Sequence, residues 1–308
     1  MENFSLNVEQ VAALQSQERY AHLPQLFRLD QSAGRHYYTV DPKRDPAIMY
    51  YPSWTTVIKR ICGTSEHLVK WTAEMGYDEA KRYMNDRADY GTCLHIILAE
   101  LMTEGSFDLG LIKAKAGAYL LRQNKPTAVV DVWAPDLEKD VLAFAQFVAD
   151  KEVEIEAVEI PMVSEVMGIA GTIDIVCTLK FGKSRVRAIV DIKSGRKGFY
   201  SEHKYQLHGY MAMHNENVAD ESDHVSMVFN WSPKDWQKAP TYNFENQTDA
   251  LEGTALSGLV HQHKALYPEP KKSNIIRARG TVQLGTAPSD CFEIVDVDRL
   301  LRVRHQLD

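Results

Sequence analysis

The stretch GIAGTIDIVCTLKFGKSRVRAIVDIKSGRKGFYSEHKYQLHGY, residues 168–210, decides how the whole chain reads. Ile173, Ile175, Cys177 and Leu179 alternate with Thr172, Asp174, Val176 and Thr178, the period-2 pattern of a strand with two unlike faces. Val186, Ala188, Val190 and Ile192 alternate in the same way with Arg187, Ile189, Asp191 and Lys193. A two-residue turn at Gly182-Lys183 joins the runs, with glycine at the first central position as a type II′ turn prefers. Phe181 then pairs with Ser184, and stepping outward brings Asp174 opposite Asp191. In that register apolar positions face one another, and both acids share the other face with Lys193. A slip of one residue would set apolar against polar.

Directly opposed carboxylates have Cβ atoms about 5 Å apart, and like charges so placed are destabilising. A divalent cation between them removes the repulsion, and hard oxygen ligands suit Mg²⁺ or Mn²⁺. Lys193 lies two residues beyond Asp191 and projects from the same face. There its ammonium can polarise a water or stabilise charge on a phosphate. The basic and aromatic loop that follows offers Arg196 and Lys197 to phosphates, and Phe199 or Tyr200 to a base. Ser201 is expected to cap a helix running to residue 214. On it Gln206 and Tyr210, four apart, share one face.

GTID, then DIK, then QLHGY on a helix resembles the PD-(D/E)XK nuclease superfamily, in its RecB-like and phage-type exonuclease branch. That branch carries a Gly-Thr-x-x-His element upstream, and Gly91-Thr92-Cys93-Leu94-His95 matches it. Pro52-Ser53-Trp54-Thr55-Thr56-Val57-Ile58 is similar to a stretch that precedes the first nuclease motif in phage-type exonucleases, so the resemblance spans residues 35–210. It implies metal-assisted phosphodiester hydrolysis. Asp174, Asp191, His95 and the backbone carbonyl of Ile192 hold one or two Mg²⁺ or Mn²⁺ ions. Lys193 helps to activate the attacking water or neutralises the developing charge, Gln206 orients the metal–lysine site, and Tyr210 lies near the substrate backbone. Glu159 falls where the family has a v-E-x-P strand, and reads equally as an exposed strand acid and as an outer ligand or DNA-facing group.

The implied substrate is DNA, as single strands or duplex ends, in recombination, repair or phage DNA processing. A recombination or single-strand-binding protein is the kind of protein partner such an enzyme meets. An exonuclease is the first reading. An endonuclease with the same site is the alternative, as are a binding subunit that has lost catalysis and a plain metal-binding scaffold. The complete Asp174, Asp191, Lys193 and Gln206 set argues against lost catalysis. Several relatives bind an iron–sulfur cluster through four cysteines, three of them close together near the C-terminus. Cys62, Cys93, Cys177 and Cys291 are widely scattered, so no iron–sulfur cluster is expected, and buried free thiols are the plainer reading.

The 308 residues are 44% hydrophobic and 25% charged, enough apolar material for a proper core. A net charge of −7 argues against a protein that coats nucleic acid nonspecifically, while leaving room for a local basic groove. No apolar run approaches a membrane span. The start, MENFSLNVEQ, lacks the layout of a signal or transit peptide, so a cytoplasmic protein is expected.

Outside the central stretch, a helix is expected over residues 8–21, a strand over 35–41 and a proline-rich loop over 41–52. A helix through residue 60 follows with Ser53 at its N-cap, and Trp54 reads as core more readily than as a base-stacking platform. Three helices are expected between 65 and 104, the first with Leu68, Trp71, Ala73 and Met75 on an apolar face, the second ending at 86 and the third starting near 89 with Leu94, Ile97, Leu98 and Leu101 at core spacing. A helix over 113–124, a strand-like run over 127–133 and a strong helix over 136–153 come next. Lys113, Lys115, Arg122 and Lys125 read as a solvated face or as the lining of a strand channel. Residues 153–165 read as a strand interrupted by Pro161, 223–230 as a strand, 231–242 as loop, 248–266 as helix and 268–280 as a basic loop.

These elements predict an α+β protein with α/β/α layers: a central mixed β-sheet flanked by helices, a restriction-endonuclease-like core under an N-terminal helical cap. The chain reads as a single nuclease domain, residues 1–308. Residues 1–88 form the N-terminal strand and cap, 89–230 the core, and 231–308 a C-terminal helix and basic loop.

Overall fold

The computed structural model describes residues 20, 22–31, 34–40, 43, 48–196, 198–249, 253–267, 275–278 and 292–295. The hairpin forms as its alternation requires. Strands β5 (Ile169–Phe181) and β6 (Ser184–Ile192) run antiparallel with Phe181 opposite Ser184. Gly182 takes φ 62° while Lys183 stays out of the left-handed region, the combination a type II′ turn needs. The last paired position before the site is Ile175↔Val190, so Asp174 and Asp191 stand one step beyond it on their strands.

Three further strands complete a five-stranded sheet in the order β4-β5-β6-β7-β8. These are β4 (Glu154–Ser164), β7 (Met227–Pro233) and β8 (Tyr242–Asn246). β7 is parallel to β6 and the other pairs are antiparallel. A parallel neighbour needs a crossover, and helix α6 (Ser201–Asn217) supplies it. Pro161 does not interrupt β4; it pairs with Thr172 within an edge strand, where a proline is tolerated.

Helices cover both faces. On one, α3 (Tyr77–Glu104), α4 (Ile112–Arg122) and α5 (Val130–Asp150) bring Leu94, Ile97, Leu120 and Phe144 against Ile175, Cys177, Val190 and Trp231. On the other, α1 (Trp54–Cys62), α6 and α7 (Gly253–Leu266) bring Trp54, Leu207, Met213 and Val260 against Val176, Ile189 and Val228. This is the expected α/β/α arrangement around a mixed sheet. A small sheet of β1 (Phe27–Gln31), β2 (Gly34–Val40) and β3 (Ile48–Pro52) adjoins β5, and β9 (Ile275–Ala278) pairs with β10 (Phe292–Val295). Among the described residues no helix is long and apolar enough to cross a membrane.

Several local expectations need correction. α3 is one continuous helix, not two, so a boundary at residue 88 would cut through its middle. Its C-terminal half, from Tyr90 onward, packs into a core layer. Helix α2 (Glu66–Met75) buries none of its residues, although an apolar face was expected of it. The β-branched run at 127–133 is not a strand; α5 starts at Val130, because Val130 and Trp133 pack into the helical layer and tertiary burial overrides local propensity. Strand β3 arises where loop was expected, the expected strand β7 starts at Met227 and continues to Pro233, and β8 is additional. The expected helix at 8–21 lies almost wholly outside the described residues, as do Lys197, Cys291 and most of the basic segment 268–280.

One departure shapes the site. Ile169 and Ile173 of β5 pack on the α6 side of the sheet, whereas Ile175, Cys177 and Leu179, expected on the same face as Ile173, pack on the α3 side. The alternation therefore changes phase at Asp174. On β4 the break falls at Glu159, between the pairs Val158↔Ile175 and Ile160↔Ile173, and Glu159 adopts φ 49°. A left-handed residue inside a strand is a costly conformation for anything but glycine. It turns the pleat, and with it the side chains at this level.

Candidate active site

Four elements meet where the pleat turns. α3 contributes His95, β4 Glu159, β5 Asp174 and β6 Asp191, with Lys193 just past the end of β6. The Gly-Thr-x-x-His element works through two positions one helical turn apart. A Cβ at Gly91 would stand 2.9 Å from Ser194 Oγ, so glycine lets α3 approach the residue that follows Lys193. His95, four residues on, then points along the same helix face into the sheet.

His95 Nδ1 is 2.9 Å from Glu159 Oε1 and 3.8 Å from Asp174 Oδ1, and its Nε2 is 3.2 Å from the Ile192 carbonyl. Asp174 Oδ2 accepts a 2.7 Å hydrogen bond from the Ile192 amide, which ties the end of β6 to the acid across from it. Ligand atoms of His95, Glu159 and Asp174 all lie within 4.8 Å of one another. Burial works against charge on the His95 ring, but Asp174 and Glu159, with Asp191 behind them, outweigh it and raise its pKa. Asp174 is pushed up as well, first by burial, with Asp191 and Glu159 adding to it against the opposing pull of His95 and Lys193. Nitrogen and carboxylate donors packed this closely, with more negative charge than the protein itself balances, fit a divalent cation.

Asp191 sits differently from expectation. It is not in that three-residue cluster, although its charge is felt by both His95 and Asp174. Its carboxylate, 1% exposed, is taken up by protein donors: Lys193 Nζ at 2.7 Å and Asn230 Nδ2 at 2.8 Å on Oδ2, and Gln206 Nε2 at 2.9 Å on Oδ1. Gln206 also accepts from Lys193 Nζ through Oε1 at 3.0 Å and donates to the Tyr210 hydroxyl at 3.1 Å. The one-turn spacing of Gln206 and Tyr210 thus places both on the α6 face that overlooks the sheet. Burial raises the Tyr210 pKa well above its ordinary value, keeping it a neutral hydroxyl. His203, one turn before Gln206, is held neutral down to about 4, first by burial and then by the Lys193 charge.

α6 is seated by a second glycine. A Cβ at Gly209 would overlap the indole of Trp54. The Trp54 ring is fully buried, and its Nε1 donates to the carbonyls of Tyr205 at 3.0 Å and Gln206 at 3.2 Å. Trp54 is therefore core and a brace for α6, not a stacking platform. The helix N-cap is Tyr200 rather than Ser201, and the Tyr200 amide donates to His203 Nδ1 at 3.2 Å. Ser53 occupies the N-cap of α1, but its hydroxyl meets Thr55 Oγ1 instead of a helix amide. A cleft lined by Thr55, Ile58, Lys59, Leu68 and His203 opens directly onto Gln206.

The residues expected to touch nucleic acid fare unevenly. Tyr200 is exposed beside this cleft region, and Lys197 lies outside the described residues. Arg196 is drawn inward instead of offered to phosphate: its guanidinium meets Asp140 and Asp235, each at 2.6 Å. Three of the four cations of the 113–125 concentration are likewise engaged, Lys113 with Asp131, Lys115 with Glu100 and Lys125 with Asp89. Cys93 and Cys177 are buried thiols, while Cys62 is exposed. Sequence reasoning missed Asn230 and Asp140, because nothing in a single Asn or Asp on a strand or helix signals a partner 39, 50 or 56 residues away.

Comparisons with known proteins fit this geometry. The family model of the PD-(D/E)XK nuclease superfamily matches residues 69–275. No curated protein matches the chain in sequence. Among solved structures it is similar to the crystal structure of SSO0001, at 14% identity over 51% of this chain and 72% of that one, with a TM-score of 0.29, a likeness too slight to argue from. The family match runs through α3, the β4–β5–β6 ladder and α6, the very elements that gather His95, Asp174, Asp191, Lys193 and Gln206. By that match the chain belongs to the PD-(D/E)XK nuclease superfamily, whose members are metal-dependent nucleases acting on nucleic acid.

Proposed function

We propose that the chain is a Mg²⁺- or Mn²⁺-dependent deoxyribonuclease that acts as an exonuclease, releasing nucleotides from DNA ends. One observation carries the hydrolytic reading: a Lys193–Asp191–Gln206 triangle stands directly beside the His95–Glu159–Asp174 cluster. His95, Asp174 and Glu159, with the Ile192 carbonyl, are the residues that would hold the ion, and Asp191 completes the acidic wall. When bound, the ion supplies Lewis-acid charge at the scissile phosphate and lowers the pKa of a coordinated water.

The protein's own groups do the rest. Lys193 is held from two sides by Asp191 and Gln206, so its ammonium is fixed in place to face charge developing on a phosphate. Gln206, donating to Asp191 while accepting from Lys193, keeps acid and amine at a set separation. Tyr210, bonded to the Gln206 amide, fixes that amide's orientation and lies close to the substrate backbone. Tyr200 offers a ring to a base.

The choice of exonuclease rests on the likeness of the Gly91–His95 and Gln206–Tyr210 elements to RecB-like exonucleases and of Pro52–Ile58 to phage-type exonucleases. Recombination, repair or phage DNA processing is the corresponding setting, with a recombination or single-strand-binding protein as companion. The test is digestion of end-labelled single- and double-stranded DNA with Mg²⁺, Mn²⁺ or EDTA. Metal-dependent release of mononucleotides from an end is the expected result. Internal fragments would instead make it an endonuclease, and intact DNA under every condition would overturn the hydrolytic reading.

A further inference from the structure

Behind the loop that follows Lys193 lies an ionic cluster that the site described above does not use. Asp140 of α5 is 1% exposed, so its carboxylate is buried in the helical layer. Its Oδ2 accepts from the Tyr90 hydroxyl of α3 at 2.6 Å, and its Oδ1 from Arg196 Nη2 at 2.6 Å. Arg196 reaches Asp235 through Nη1 at 2.6 Å, stands 3.8 Å from Asp136, and its carbonyl accepts from Asn243 Nδ2 of β8 at 3.4 Å. One arginine thereby ties the loop to α5, to the segment after β7, to β8 and, through Asp140, to α3.

The near end of the same loop is pinned too. Ser194 rests on Gly91, its carbonyl accepts from Arg87 Nη2 at 3.4 Å, and the Lys193 amide donates to the Trp231 carbonyl at 2.8 Å. Such a cluster is an expensive way to gain stability, since desolvating buried ions consumes most of what their attraction returns. Burial in fact pushes Asp140 up to about 6, against the pull of Tyr90 and Arg196. Arg196 stands three residues past Lys193, and that position gives the cluster another use.

We propose that Arg196 and Asp140 are positioning residues: by clamping residues 194–196 onto α5 and α3 they set the place from which Lys193 reaches Asp191 and Gln206. This rests on the nuclease reading above, and it gives Arg196 a role other than phosphate binding. A displacement of about 1 Å at a reacting group costs on the order of 10²-fold in rate. A positioning role therefore predicts a loss in kcat with substrate affinity preserved.

The test compares wild type with Arg196→Gln, Asp140→Asn and the double variant Asp140→Leu/Arg196→Met. The double variant removes both buried charges together and so avoids stranding one of them. Two quantities are read: the steady-state kcat and KM on an end-labelled oligonucleotide, and the Kd of that oligonucleotide in EDTA at several salt concentrations. The expected result is a fall in kcat of tenfold or more in all three variants, with KM, Kd and the salt slope unchanged and the double variant still folded by thermal melting. Full kcat in the folded double variant would overturn the proposal. So would a weakened Kd with a salt slope lowered by about one, which marks a direct phosphate contact. A wild-type chain that cleaves nothing would sink the nuclease reading itself, a different failure from cleavage that is indifferent to these substitutions.

Discussion

The two sides of the candidate site are built on opposite principles. On the α3 side, His95, Glu159 and Asp174 crowd donor atoms within 4.8 Å and leave the carboxylates short of compensating charge. On the α6 side, Asp191, Lys193 and Gln206 satisfy one another in a closed triangle braced by Asn230 and Tyr210. The first side gathers ligand atoms around one point; on the second the three side chains bond one another, with the buried Oδ1 of Asn230 left unpaired behind them. His95 and the Ile192 amide offset only part of the cost of burying Asp174 beside Glu159 and Asp191. The difference is what the proposal of a cation on the α3 side and a fixed amine on the α6 side rests on.

The sharpest way to break this comparison is to remove a member of the fixed frame. Lys193→Ala and Asp191→Ala should each lower cleavage by about 10²–10³-fold, the scale seen when one preorganised charge-stabilising group is lost. Circular dichroism should show the fold intact in both. Retained cleavage in either would erase the distinction between the two sides. Next in size, Glu159→Gln or His95→Ala should weaken Mn²⁺ binding by about 10–100-fold in calorimetry. Gln206→Ala should leave Mn²⁺ affinity unchanged while lowering the rate. Equal losses of affinity on both sides would mean that the ion is shared between them.

Smaller effects probe the support behind the α6 side. Gly209→Ala should cost about 1–3 kcal/mol in urea unfolding, because its methyl group overpacks against Trp54. An unchanged midpoint would show that α6 is seated some other way. The smallest effect concerns pH. Burial, then Arg60 and His36, lower the His263 pKa from 6.5 to about 4, and its Nε2 faces Arg60 Nη1 at 3.4 Å. The unfolded chain therefore binds more protons between those values. This contribution to stability is complete above pH 6.5 and is lost as pH falls through 6.5 toward 4. His263→Asn should flatten that part of the stability profile, and an unaltered slope would assign it to other groups.

The hairpin and its register were legible because a period of two leaves one pairing that matches apolar to apolar, and Phe181↔Ser184 follows from it. The Gln206–Tyr210 face was legible because helical spacing alone puts four-apart residues together. The change of pleat at Glu159 and Asp174 was not, since a non-glycine residue at positive φ carries no mark in the sequence. That is why Ile173 was set on the wrong face, and why Glu159 read equally as surface acid and as ligand. The continuous α3 was missed where the polar stretch Asp86-Arg87-Ala88-Asp89, three of its four residues charged, resembles a break. Arg196 was read from its charge alone, which could not reveal an acid 56 positions earlier in the chain.

The helix pair at the start of this layer has one more consequence. α2 buries no side chain, and α3 buries only Ala80 before Tyr90. Amide protons there lack the packed neighbours that slow exchange with solvent. In deuterated water they should exchange long before those around His95, on the same continuous helix. The rod that carries His95 at its anchored end would then open from its other end first, without disturbing the histidine.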